Sequence, residues 1–210
     1  MANPTLVLAS ASPRRVALLQ QLQLPFEQIV SPVEEPPAQG DPETSAILSA
    51  RTKAGAVADL LRDGRARLSS SSPTPTSHLV IGADTVVSCA GQLLGKPADE
   101  AEAAGMLRLL SGRQHTVCTG IAVVATDGEQ EACEITRVLM KPLSETSIAA
   151  YVASGEPQGK AGSYAIQGLG ARFIERVEGC YYNVVGLPLA RLCCLLESAG
   201  FDLDLSQETE

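Results

Sequence analysis

The chain has 210 residues, of which 45% are hydrophobic, and its formal net charge at neutral pH is −8. This composition is typical of a folded globular protein with a buried core, and the acidic balance argues against the basic surface that general DNA or RNA binding requires. Tryptophan is absent and aromatic residues make up only 3% of the chain, so stacking surfaces for single-stranded nucleic acid are not expected either.

Hydrophobic periodicity predicts helices and strands that alternate early in the chain, with strand hairpins in its middle part. The predicted elements are strands at 5–9, 26–30, 79–87, 114–125, 131–141 and 173–177, and helices at 16–22, 45–62, 99–110, 144–152 and 188–198. The glycine-rich stretch at 156–170 is expected to be a loop. This order of elements predicts a mixed α/β or α+β domain.

The turn after the first predicted strand is the most informative local feature, with the sequence SASPRR at 10–15. Ser12 can cap the following helix and Pro13 suits its first position, so free backbone N–H groups and the positive end of the helix dipole face the end of the strand. Arg14 and Arg15 add permanent charge in a geometry that suits phosphate. The segment therefore predicts a site for a phosphate or a carboxylate.

Three charged side chains further along the chain are candidates for the same site. Asp84 interrupts the apolar run at 79–87, where a carboxylate is costly to bury unless it is paired, hydrogen-bonded or bound to a metal. Lys53 and Lys96 could contact phosphate groups, although each of them alone is more typical of a solvated lysine.

Two other features suit a nucleotide ligand. Glu34 and Glu35 lie in a proline-rich loop and could bind Mg²⁺, which takes carboxylate oxygens together with phosphates and water. Gln167 lies next to a glycine, and its amide offers both a donor and an acceptor to the edge of a base. Taken singly, a Glu-Glu pair in such a loop is usually solvated, and a loop glutamine commonly bonds to nearby backbone.

The absence of their sequence motifs argues against several common nucleotide-binding and catalytic sites. There is no P-loop, no dinucleotide-binding GxGxxG and no GxSxG nucleophile turn. Zinc is not expected, because His78 and His115 are the only histidines and neither has a second ligand at metal spacing. The six cysteines show no paired spacing, and no signal-peptide or membrane-spanning pattern is present, so we expect a soluble cytoplasmic protein.

The ordered set of motifs resembles the Maf family of nucleoside triphosphate pyrophosphatases, from about residue 6 to residue 201. In chain order the motifs are ASASPRR (9–15), Glu34-Glu35, Lys53, GADT (82–85), GKP (95–97), LSGRQH (110–115), KAGSYAIQG (160–168) and YNVVGLPL (182–189). Thr85 and Gln167 are similar to the branch that acts on dTTP and UTP. Gly159 and Cys180 depart from the residues that the family usually has at those positions.

The resemblance implies an α/β fold with a long central mixed sheet flanked by helices, and two lobes around a nucleotide cleft, as in inosine triphosphatases. It covers one domain at 5–201. Residues 69–77, which are rich in serine and proline, are expected to form a flexible loop, and 202–210 an acidic tail. By resemblance the protein would be a homodimer, and no nucleic-acid or membrane partner is expected.

The same resemblance implies hydrolysis of a triphosphate to the monophosphate and pyrophosphate, with dTTP and UTP as substrates. Asp84 would accept a proton from the attacking water or hold a divalent metal, with Mg²⁺ expected and Mn²⁺ or Co²⁺ as alternatives. The metal ligands would be Glu34, Glu35 and Asp84. The phosphate-binding residues would be Ser12, Arg14, Arg15, Lys53 and Lys96. The residues that select the base would be Arg14, Thr85 and Gln167.

Two alternatives stay open from the sequence. One is an enzyme of the same family that hydrolyses 7-methyl-GTP, and the other is a non-catalytic nucleotide-binding regulator of cell division. Thr85 and Gln167 argue against the first, and the intact acidic and cationic residues argue against the second.

Overall fold

The structure is a computed structural model, and it describes residues 3–33, 39–68 and 77–203. In these ranges seven strands form one mixed sheet, in the spatial order β2-β1-β3-β5-β6-β7, with β4 paired to β3. The strands are β1 (Thr5–Leu8), β2 (Phe26–Gln28), β3 (His78–Cys89), β4 (Gln92–Leu94), β5 (Gln114–Val124), β6 (Glu129–Met140) and β7 (Ile174–Glu178). Strand β1 is parallel to β2 and β3, and the other pairs are antiparallel.

Helices cover both faces of the sheet. They are α1 (Pro13–Gln21), α2 (Pro42–Arg62), α3 (Glu100–Leu110), α4 (Glu145–Ala153), α5 (Tyr181–Val185) and α6 (Leu189–Ser198). Short 3₁₀ turns occur at Ala161–Ser163 and Gly168–Phe173. Among the described residues, no helix combines the length and the apolar character that crossing a membrane requires.

The long strand β3 takes part in two separate cores on one of its faces. Its first half, with Ile81 and Ala83, packs against α1 and α6. Its second half, with Val87 and Cys89, packs against α3 and α4. Because side chains alternate along a strand, Thr85 lies on the same face between the two cores. Among the described strands, β1 pairs with β3 only before this point and β4 only after it, so a cleft can open at the uncovered edge between them and reach both faces of β3.

The opposite face of β3 is covered by α2, which lies unusually close to the sheet. A Cβ atom on Gly82 would lie 2.1 Å from the carbonyl oxygen of Ala50. A Cβ atom on Gly120, in the neighbouring strand β5, would lie 2.3 Å from the carbonyl carbon of Ala46. On the helix side of this contact the residues are alanines, which are fully buried against the strands. Only glycine in the strands permits this contact.

The architecture confirms the predicted α/β class, with a central mixed sheet flanked by helices. The hairpin of β5 and β6 also forms where it was predicted. Two features were not predicted: the 3₁₀ turns that begin within the loop-like stretch at 156–170, and α5. These elements are one to two turns long, which is too short to show a hydrophobic period.

Two sequence predictions fall mostly on residues outside the described ranges. Of the serine-rich loop predicted at 69–77, the structure describes Ser77 alone, and of the tail predicted at 202–210 it describes Asp202 and Leu203. Both stay predictions.

The close contact of α2 with β3 makes a testable prediction. Gly82→Ala should lower the free energy of unfolding by about 3 kcal/mol, because the added methyl group meets helix backbone that has no rotamer to move. Gly55→Ala, in α2 itself, is the matched control. A Cβ there meets nothing within 4 Å, so the better helix propensity of alanine should add up to about 1 kcal/mol. Urea denaturation of both variants measures the difference, and equal effects of the two substitutions would contradict the packing described.

Candidate active site

A cleft of about 470 Å³ opens between the two cores, beside the carboxyl end of β1 and the start of α1. This volume is in the range of small-molecule sites. The predicted site residues that line it are Ser12, Arg14, Arg15, Lys53, Asp84, Thr85, Lys96 and Gln167. Glu34 and Glu35 lie outside the described residues, so their predicted role as metal ligands stays a prediction.

Asp84 and Lys53 form a buried ion pair at the cleft wall. The Lys53 ammonium group donates to Asp84 Oδ1 at 2.6 Å and to the Ala83 carbonyl oxygen at 3.3 Å. The side chains are only 7% and 13% exposed for Lys53 and Asp84, respectively. Burying either charge alone would be costly, so each requires the other. Of the three ways that the sequence left open for stabilising this acid, the structure shows an ion pair, and the carboxylate still lines the cleft.

The first turn of α1 presents its positive end to the cleft. Ser12 and Pro13 occupy the predicted positions at the start of the helix, but the prediction that the Ser12 side chain caps it is wrong, because this side chain makes no capping hydrogen bond. The Ser12 backbone N–H donates to Ser10 Oγ at 3.2 Å. The amide groups of the first turn are therefore not satisfied by the Ser12 side chain, which suits the binding of an anion at this end of the helix.

The two arginines of the turn differ in their surroundings. The buried Arg15 side chain donates to the Gly186 carbonyl oxygen at 2.9 Å, to Thr85 Oγ1 at 3.2 Å and to Ser10 Oγ at 3.5 Å. It therefore links α1, β3 and the end of α5 across the cleft wall. Arg14 is half-buried, and its burial together with the charge of Arg15 lowers its pKa. Both guanidinium groups remain charged, so the pair concentrates positive potential at the cleft.

Thr85 belongs to a chain of hydrogen bonds whose direction can be assigned. The Thr119 hydroxyl donates to the Asn183 carbonyl oxygen at 3.0 Å, which uses its one hydrogen. In the 3.0 Å contact between the two threonines, Thr85 must then be the donor. Because Thr85 Oγ1 also accepts from Arg15, it can offer a ligand only an acceptor lone pair.

The comparison with known proteins agrees with this geometry. The chain matches the Maf-like protein family model over residues 5–199. It belongs to the Maf family. A curated relative from Pelotomaculum thermopropionicum is 51% identical over 94% of this chain and 98% of its own length, and one from Bacillus cereus (strain AH187) is 45% identical over 94% and 97%. Both relatives are named dTTP/UTP pyrophosphatase.

Lys160 is a further positively charged residue of the cleft, and the sequence analysis did not single it out. Lys160 lines the cleft, and its ammonium group donates to the Glu156 carbonyl oxygen. Burial and the nearby charge of Arg14 lower its pKa. The KAG motif contained this lysine, but its motif position alone did not show that it faces the same space as Arg14.

His115 and Tyr164 form a buried pair behind the cleft. Tyr164 lines the cleft, and its hydroxyl group lies 2.8 Å from His115 Nε2. The imidazole is only 2% exposed. Burial lowers the pKa of His115 to about 4, so the ring is neutral at pH 7.

The neutral imidazole makes stability depend on pH. The pKa of His115 is about 4 in the fold against an ordinary value of 6.5, so the unfolded chain takes up the proton first. Its contribution to stability is complete above about pH 6.5 and is lost as the pH falls through about 4. Between about pH 7 and pH 4.5 the wild-type protein should therefore lose about 2 kcal/mol more of its free energy of unfolding than His115→Gln.

Urea denaturation at the two pH values measures this loss. His78→Gln is the matched control, because His78 is only half-buried and the variant should keep most of the wild-type pH dependence. A His115→Gln protein with the full wild-type pH dependence would contradict the assignment.

Proposed function

We propose that this chain hydrolyses dTTP and UTP to the nucleoside monophosphate and pyrophosphate. The observation that carries the proposal is a buried carboxylate, Asp84, held by Lys53 at the wall of a cationic cleft. Relatives that are 45% and 51% identical over nearly the whole chain are named dTTP/UTP pyrophosphatase, which supports the same reading.

The cleft suits a strongly anionic substrate although the protein is acidic. Arg14, Lys96 and Lys160 line it, together with the start of α1. In phosphoryl transfer the transition state spreads negative charge over phosphate oxygens, so positioned cations lower the barrier by electrostatic stabilisation. We expect these groups to hold the triphosphate with its phosphates toward Asp84.

Asp84 is the residue that we expect to act on the attacking water. A carboxylate within hydrogen-bond reach of that water can accept its proton as a general base. Lys53 contacts Oδ1, and the pairing keeps the carboxylate fixed beside the substrate site. The other role left open by the sequence, that of a metal ligand, requires the same side chain.

The donor set fits a divalent metal that arrives with the substrate. The described residues contain no group of three or more carboxylate, histidine or cysteine side chains that could hold a metal alone. Mg²⁺ is commonly bound by one or two carboxylates together with substrate phosphates and water, a set that Asp84 could complete. Mn²⁺ or Co²⁺ could take the same place. The bound ion would neutralise and polarise the phosphate oxygens.

Base selection is assigned to Arg14, Thr85 and Gln167, which line the same cleft. Thr85 presents only an acceptor, while the Gln167 amide presents a donor and an acceptor. A base that leaves one of these groups unpaired loses about 1–3 kcal/mol of binding free energy per missing hydrogen bond.

The homodimer and the cytoplasmic location, which the sequence analysis expected, also stay predictions.

Asp84→Asn tests the reaction. Pyrophosphate release from dTTP should fall by about 10²–10⁴-fold, the range expected when a general base is removed. Asp99→Asn is the matched control. Asp99 caps α3 through Glu102 N–H, and asparagine caps equally well, so this variant should keep its activity. An Asp84→Asn variant that binds dTMP and still turns over at the wild-type rate would remove Asp84 from the mechanism.

Gln167→Glu tests base selection. The substitution replaces the amide donor with an acceptor, so kcat/KM for dTTP and UTP should fall by about 10-fold or more. Gln158→Glu adds the same negative charge to the same cleft and controls for a general electrostatic effect. Equal losses in the two variants, or unchanged use of pyrimidine triphosphates by Gln167→Glu, would show that Gln167 does not read the base.

A further inference from the structure

Gln167 lies on an exposed turn, and hydrogen bonds from other side chains hold the backbone on both sides of it. The turn, here called the Gln167 segment, comprises residues 165–170. Gln167 itself is exposed, whereas Ala165 and Gly170 at its two ends are buried. An exposed side chain can select a base only if its backbone is fixed, because a mobile amide would adapt to several bases.

The carboxylate of Glu156 accepts two hydrogen bonds from the C-terminal end of the Gln167 segment. Its Oε2 accepts from the Leu169 N–H at 2.9 Å, and its Oε1 accepts from the Gly170 N–H at 2.9 Å. Gly168 has a φ of +77°, and a Cβ atom there would lie 2.7 Å from Glu156 Oε2. The turn is therefore folded closely around this carboxylate.

Tyr151 links Glu156 to the N-terminal end of the Gln167 segment. Its hydroxyl donates to Glu156 Oε1 at 2.8 Å and accepts from the Ala165 N–H at 3.2 Å. The tyrosine is fully buried in the core of α3 and α4, and its ring packs edge-on against Phe173 at 5.0 Å between centroids. The support therefore starts from a fully buried side chain in the core.

The charge of Glu156 is part of the arrangement. Partial burial opposes its ionisation, but hydrogen bonds from Leu169, Gly170 and Tyr151 outweigh this effect and lower its pKa. The carboxylate also acts on Arg14. Burial and Arg15 lower the pKa of Arg14, while Glu156 acts in the opposite direction by attraction. The same group thus influences two of the three residues assigned to base selection.

We propose that Glu156 and Tyr151 are positioning residues that fix Gln167 for the recognition of the pyrimidine base. The inference rests on the proposed function of the cleft. Neither Tyr151 nor Glu156 is among the described residues that line the cleft. Each of these side chains acts through the backbone of the Gln167 segment.

Tyr151→Phe is the sharpest test, because it removes one hydroxyl and keeps the ring on Phe173. The ratio of the dissociation constants for dGMP and dTMP, measured by calorimetry, should fall about tenfold, the effect of one lost hydrogen bond. With dTTP as substrate, the loss should fall mainly on KM rather than on kcat. Glu156→Gln should change both quantities in the same direction, since its amide nitrogen cannot accept the bonds of a carboxylate oxygen.

Two matched controls share the chemistry but lie outside the cleft. Tyr182→Phe removes a phenol hydroxyl that accepts from Gln21, and Glu145→Gln removes the exposed ion pair with Arg108. Both should leave the dGMP to dTMP ratio unchanged. Equal weakening of both nucleotides by Tyr151→Phe would show a merely structural role and overturn the proposal.

A double-mutant cycle separates positioning from general damage. In a Gln167→Ala background, Tyr151→Phe should change the binding ratio no further, because the side chain that it positions is already gone. A full second tenfold loss would contradict the proposal.

Nucleotide binding by the wild-type protein separates this inference from the proposed reaction. A protein that selects dTMP but releases no pyrophosphate refutes the proposed reaction alone. A protein that binds dTMP and dGMP equally refutes the positioning role.

Discussion

The site depends on how closely α2 approaches the sheet. Gly82 and Gly120 have no side chains on the face that α2 covers, and the helix meets them with small residues. This contact brings Lys53 within 2.6 Å of Asp84, which lies two residues after Gly82 on the same face of β3. A bulkier residue in either strand would push the helix away and leave a buried carboxylate without its cation, an expensive arrangement. Packing and chemistry therefore constrain the same few residues.

The cleft follows from the way that β3 is shared between two cores. One core lies before Thr85 and the other after it, so the strand itself joins the two walls of the cleft. Arg15 crosses this junction with hydrogen bonds to Thr85 and to the end of α5. Much of its guanidinium is thus engaged in holding the walls together. Arg14 is less enclosed and is the better candidate of the two for direct contact with substrate.

Much of this could be predicted from the sequence, because the informative signals were local. The alternating and helical periods located the main strands and helices, and an acid inside an apolar strand implied a buried partner. The hydrogen bonds of Glu156 could not be predicted in this way, since they join residues 13 and 14 positions apart through a turn. The prediction of a Ser12 cap was wrong because propensity rules describe helix ends in general and do not include the surroundings of this particular one.

The most direct test of the account is pyrophosphate release by the wild-type chain from a panel of nucleoside triphosphates, with Mg²⁺ and with a chelator. The panel should contain dTTP, UTP, the purine triphosphates and 7-methyl-GTP. We expect metal-dependent release from dTTP and UTP, with far less from the purines. Release mainly from 7-methyl-GTP would contradict the roles given to Thr85 and Gln167. No release from any triphosphate, by a folded protein that binds nucleotide, would contradict the catalytic role of the cleft and indicate a nucleotide-binding regulator.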